Sequence, residues 1–142
     1  MHPSAAQELA VPILDVKYST PIERDLRPAV ASALSEITAR VLHKKPELTA
    51  VVVDQIDPAG WFVGGPSLAE QRRASFFLDI RIVDGTNVKD EKADYLRQVF
   101  AAMESLLGPL HPESYIHVHE VKADAYGFGG LTQELRYIRA RT

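Results

Sequence analysis

Two spacings of apolar residues alternate along this chain. Ile13 to Tyr18 is a short run, apolar at alternate positions with some irregularity, bounded by Pro12 and by Ser19-Thr20-Pro21. It predicts a β-strand. Leu26, Val30, Leu34, Ile37 and Val41 then recur every three or four residues, which lines one face of an α-helix. Thr20-Pro21-Ile22-Glu23 carries helix-start chemistry: a hydroxyl cap, a proline in the first turn and a glutamate three residues on. Pro28 offers a second starting point, because a proline inside the helix would remove a hydrogen bond. Val51 to Ile56 returns to strand composition.

The second half repeats this order. Phe76 to Val83 predicts a strand, and Asp84-Gly85-Thr86-Asn87 is turn chemistry, with Asn87 able to cap a helix. Leu96, Val99, Phe100, Met103, Leu106 and Leu107 form the next helical face, which Gly108-Pro109 ends. Tyr115 to Val121 is the return strand. Its alternation turns Ile116, Val118 and Val121 toward the core and aims His117 and His119 at the opposite face. Matching landmarks lie at nearly one offset: 64 residues from Asp15 to Asp79, 66 from Pro46 to Pro112 and 65 from Gly65 to Gly130. A repeat of this length is a whole supersecondary unit.

Strand, helix and strand in one sheet imply a parallel pair with a right-handed crossover. Two such β-α-β units predict an α+β fold, with a four-stranded mixed sheet and two helices on one face. The repeats are expected over residues 12–70 and 75–138, inside a single domain spanning 12–142. Gln71-Arg72-Arg73-Ala74 is too short a connector for independent domains. The uncovered sheet face is expected to be apolar, and a homo-oligomer should cover it.

Composition narrows the function. A net charge of −3 gives nucleic-acid binding no electrostatic support. No apolar run approaches the ~20 residues of a membrane helix, so no membrane partner is expected. The absence of cysteine excludes disulfides and thiolate chemistry and fits a cytoplasmic protein. Residues 1–11 read as a flexible leader: Met1 to Ala10 has neither the basic start nor the apolar centre of a secretory signal.

The order just described resembles the tautomerase superfamily, in its fused form that doubles a 4-oxalocrotonate-tautomerase-like unit. The residues that carry the resemblance are the strand opened by Pro12, the helix phase, Pro46-Glu47 before the second strand, and the hairpins Trp61-Phe62-Val63-Gly64-Gly65 and Tyr126-Gly127-Phe128-Gly129-Gly130. The Asp57-Pro58-Ala59-Gly60 turn is similar to the cis-3-chloroacrylic acid dehalogenase branch. The resemblance implies a homotrimer without a cofactor. It also implies a proline amine as general acid or base on a small unsaturated or 2-oxo acid, in isomerisation or a related hydration, dehalogenation or decarboxylation. That proline would be Pro12. A free α-amino group has a pKa of ~8. Burial or a nearby cation lowers it toward the working pH, where it serves as a base.

Eleven residues precede Pro12, so in the full chain its nitrogen is an amide without useful basicity. Two readings stay open. In one, translation starts at Val11 through a GTG codon, and methionine removal frees Pro12. In the other, the leader is retained and the chain is a non-catalytic ligand- or partner-binding protein of the same fold. Trp61 matches the family's hydrophobic wall, and Tyr126 is its counterpart in the second repeat. The family's substrate-binding arginines fall on Ile22, Thr86, Val51 and His117. His117 is thus a candidate carboxylate binder, and Lys17, Arg81, Arg72 and Arg73 are candidate replacements for the arginines. Lys17 and Arg81 occupy equivalent strand positions. His117-x-His119 has the look of a metal pair, but no third ligand is evident and no metal is expected.

Overall fold

A computed structural model describes residues 11–141. The leader expected over residues 1–11 lies outside the described residues, apart from Val11. The main sheet contains β1 (Ile13–Ser19), β2 (Ala50–Gln55), β3 (Ser75–Val83) and β4 (Tyr115–Val121) in the order β2-β1-β3-β4. The outer pairs are parallel, and the central pair β1–β3 is antiparallel, with Asp15 directly opposite Asp79. That pairing relates the two repeats by a pseudo-twofold axis through the two aspartates. Helices α1 (Arg27–Leu42) and α3 (Lys89–Leu107) make the two crossovers.

Alternation along the strands decides which side the helices cover. Leu14, Val16 and Tyr18 on β1, with Phe76, Leu78, Ile80 and Ile82 on β3, are fully buried or nearly so. They form one cluster with Val30, Leu34, Ile37 and Val41 of α1 and with Tyr95, Val99, Met103 and Leu107 of α3. Each such large side chain stabilises the fold by about 1.5–3 kcal/mol relative to exposure. The α3 face runs at a spacing of four from Tyr95, so Leu96 lies off it and is 38% exposed. Among the described residues no helix is long and apolar enough to cross a membrane.

Four local expectations are corrected. The helix does not begin at Thr20: α1 starts at Arg27, with Pro28 in its first turn, where a missing N–H costs nothing. Asn87 does not cap its own helix; its Nδ2 donates to the Leu42 carbonyl at the end of α1, at 2.9 Å. Glu91 instead reaches back to the Val88 N–H at 2.9 Å. Each hairpin is followed by a helix that periodicity did not reveal, α2 (Leu68–Gln71) and α4 (Gln133–Arg141), the latter after the small ribbon β5 (Gly127–Phe128) and β6 (Leu131–Thr132).

The fourth correction concerns the open sheet face. Its rows, read across β2, β1, β3 and β4, are Ala50-Ile13-Arg81-His119, Val52-Asp15-Asp79-His117 and Asp54-Lys17-Phe77-Tyr115. Charged and imidazole groups dominate, so the expected apolar surface is absent. Ile13, Val52 and Tyr115 are the large apolar residues exposed there.

Candidate functional site

Pro12 is buried at the head of β1. Its carbonyl accepts from the Ala50 N–H at 3.3 Å, which anchors β1 beside β2. Its nitrogen is joined to Val11, whose carbonyl accepts a hydrogen bond from the Tyr126 hydroxyl at 2.6 Å. The antiparallel β1–β3 pairing explains this contact. It brings the end of β3, and of β4 beside it, to the head of β1, so the hairpin after β4 folds over Pro12. Gly129 and Gly130 turn that hairpin at φ of 59° and 83°, the positive values that a tight two-residue turn requires at both positions. Gln133 N–H closes its base on the Tyr126 carbonyl at 2.7 Å.

Two cavities flank this point. One, of about 430 Å³, is lined by Ile13, Arg81, His119, Val121, Ala125, Tyr126 and Gly127. The other, of about 180 Å³, lies against Val11, Lys45, Phe128, Arg136 and Arg139. The smaller is lined by three cationic side chains and the larger by one, Arg81; either suits a carboxylate. Burial pushes the Tyr126 phenol above its ordinary pKa, against smaller opposing effects of the Ile13 backbone and Arg81. It therefore stays neutral and keeps its proton to donate. Arg136 is fixed in place: its Nε donates to the Phe128 carbonyl at 2.9 Å, and its guanidinium lies 4.3 Å from the Phe128 ring centroid.

His119 is oriented as well. Its Nε2 lies 2.9 Å from an Asp79 carboxylate oxygen, and His117 Nδ1 lies 3.7 Å from the same oxygen.

By sequence, no family model and no curated protein matches the chain significantly. Solved structures do match it. A fused 4-OT, a wild-type symmetric trimer, aligns at TM-score 0.73 with 15% identity, over 86% of this chain and 96% of its own. The macrophage migration inhibitory factor-like protein of Entamoeba histolytica aligns at 0.68 with 19% identity, over 86% and 98%. Pt0534, inactivated by 2-oxo-3-pentynoate, aligns at 0.74 with 7% identity, over 87% and 98%. The chain has the tautomerase-superfamily fold.

Within this tautomerase fold the sequence-predicted residues separate into groups. Pro12 and Arg81 lie together at the head of β1. His117 lies one register row away from them on the open face, and the histidine that lines the cavity of Arg81 and Tyr126 is His119. Lys17 is five residues after Pro12 along β1, about 16 Å at strand rise, and lies 3.8 Å from Asp15. Trp61 shares a different cavity, of about 600 Å³, with Phe77, His111 and Tyr115, beside the start of β3. Arg72 and Arg73 are exposed at that same end, and Arg72 closes α2 in the left-handed conformation.

Of the two hairpin aromatics, Tyr126 rather than Trp61 reaches the Val11–Pro12 peptide within one chain. The signal was present in the twofold repeat: antiparallel central strands send each hairpin to the other repeat's first strand. Lys45 and Arg136 were also missed, because only the tertiary fold brings the end of α1 and the helix α4 to Val11.

Proposed function

We propose that the chain is a tautomerase-type enzyme that moves a proton on a small keto-enol or 2-oxo carboxylate, with Pro12 as the base once it is the first residue. Related hydration, dehalogenation or decarboxylation would use the same groups. The observation that carries this reading is the Tyr126 hydroxyl 2.6 Å from the Val11 carbonyl. Removal of Val11 would release a neutral donor next to the freed Pro12 nitrogen, and Tyr126 also lines the neighbouring cavity with Ile13, Arg81 and His119.

The roles follow from charge and position. Arg81 binds the substrate carboxylate, and its positive charge, together with burial of Pro12, disfavours the protonated amine and keeps it available as a base. Tyr126 donates to the oxygen on which enolate charge develops. His119, held by Asp79, borders the same cavity, with His117 beside it. A homotrimer fits this reading, as the similar fused 4-OT is a trimer. Trp61, Arg72, Arg73 and Lys17, remote from Pro12 in their own chain, would then complete the site of a neighbouring one.

The test uses leader-free protein beginning at Pro12 and a stable enol of a 2-oxo acid. Turnover is expected. Arg81→Ala should raise KM more than it lowers kcat, and Tyr126→Phe should mainly lower kcat. Leader-free protein without turnover on several such enols would overturn the proposal. One observation favours a second reading, a non-catalytic binding protein: Val11 is itself packed at 8% exposure, so the blocked form is well accommodated.

A further inference from the structure

We propose that Asp79, His117 and His119 form a binding site for a divalent transition-metal ion of the zinc class on the open face of the sheet. The sequence offers two histidines two residues apart and no third ligand nearby. The fold supplies the third. β4 turns His117 and His119 to the same face, and the parallel register with β3 places Asp79 directly opposite His117.

The three side chains already converge. One ligand atom from each lies within 4.8 Å of the others. The shortest separations, both to one Asp79 oxygen, are 2.9 Å from His119 Nε2 and 3.7 Å from His117 Nδ1. Tetrahedral coordination at ~2.0–2.1 Å sets ligand atoms about 3.3 Å apart. Small side-chain rotations are therefore enough, with an ion replacing the proton between Asp79 and His119. The two imidazole rings stand 78° apart with centroids 5.8 Å from each other, so their nitrogens can aim at one point from different directions.

The donor set selects the ion. Two imidazoles and one carboxylate suit zinc, cobalt, nickel or copper, whereas magnesium and calcium prefer oxygen ligands alone. Three protein ligands leave a coordination position for water or an anion. The side chains of His117, His119 and Asp79 are 55%, 43% and 26% exposed, so an ion can enter. Charge argues the same way. Asp15 and Asp79 face each other across β1 and β3, an arrangement of like charges that destabilises a sheet. Lys17 lies 3.8 Å from Asp15, while the ion-pair partners of Asp79 are His117 and His119, where a cation would bind. The site shares His119 with the cavity of Arg81 and Tyr126, but takes no ligand from Pro12.

The test is calorimetric titration of zinc chloride into chelator-treated full-length protein, with cobalt(II) absorbance reporting the coordination geometry. One ion per chain should bind. His117→Ala, His119→Gln and Asp79→Asn should each weaken binding by about tenfold or more, while His111→Ala, outside the cluster, should leave it unchanged. The histidines are exposed, so these variants should fold, as circular dichroism would verify. Should Asp79→Asn not fold, the two histidine variants decide. Failure of the native protein to bind zinc would overturn the proposal, as would native affinity retained in both His117→Ala and His119→Gln. Both readouts are independent of turnover, so an inactive enzyme with an intact metal site would refute the catalytic reading alone.

Discussion

Gln133 occupies the place in the second repeat that Leu68 occupies in the first. The backbone N–H of each donates to the carbonyl of its hairpin aromatic, Tyr126 or Trp61, and both side chains are fully buried. Gln133 leaves both polar atoms of its amide without a partner among the described residues. An unpaired buried polar group costs about 1–3 kcal/mol. Gln133→Leu should therefore raise stability by about that amount, seen as a higher urea midpoint; a lower midpoint would show that the amide has a partner after all. Lys44 makes a second residue-level case. Burial pulls its amine down to about 8, against the smaller opposing effect of Glu91, while Thr86 accepts its hydrogen bond at 3.0 Å. Between about pH 8 and the ordinary lysine value near 10.4, the unfolded chain binds more protons than the folded one, so this group's contribution to stability rises with pH. Urea unfolding at pH 8 and 9.5 should show that rise, and Lys44→Met should flatten it; an unchanged slope would contradict the assignment. At this scale the sequence was readable where strand phase alone decides. His117 and His119, turned away from the core, are such positions. Tyr126 beside Val11 and Asp79 beside two histidines were not, because strand pairing between the repeats creates both contacts.

Each long helix ends on a side chain from the other repeat. Thr20, after β1, donates to the Leu107 carbonyl at the end of α3 at 2.7 Å, and Asn87, after β3, donates to Leu42 at the end of α1. A helix terminus leaves carbonyls without intrahelical partners, and these two side chains satisfy one at each end. They explain why Thr20 and Asn87, with the composition of helix caps, cap no helix of their own. Thr20→Val keeps the shape and orphans a buried carbonyl, so it should lower stability by about 1–3 kcal/mol; a change below experimental error would mean that water substitutes for the hydroxyl. The helices also meet directly. Thr38 donates to the Leu34 carbonyl at 2.7 Å, so the Tyr95 hydroxyl must donate to Thr38 across the helix pair, at 2.8 Å. The elements themselves were legible because their periods are strong and repeated. The starts and caps were less so, since Pro28 and the cross-repeat contacts displaced the local signals.

The whole molecule combines a buried, duplicated core with a polar open face. The open face, being polar, gives no apolar reason for a homotrimer. A trimer is proposed from fold likeness to a trimeric fused 4-OT and from the remoteness of Trp61, Arg72 and Arg73 from Pro12. Light scattering should give three times the chain mass, and a stable monomer at micromolar concentration would remove those residues from the site. The catalytic proposal turns on a single bond, the amide between Val11 and Pro12. The decisive measurement is the rate of enol ketonisation by leader-free and full-length protein, side by side, on the same 2-oxo acid enols. The leader-free form should be far faster, because only a free secondary amine can take the proton. Equal rates above background would assign any activity to another group and leave the binding-protein reading in its place.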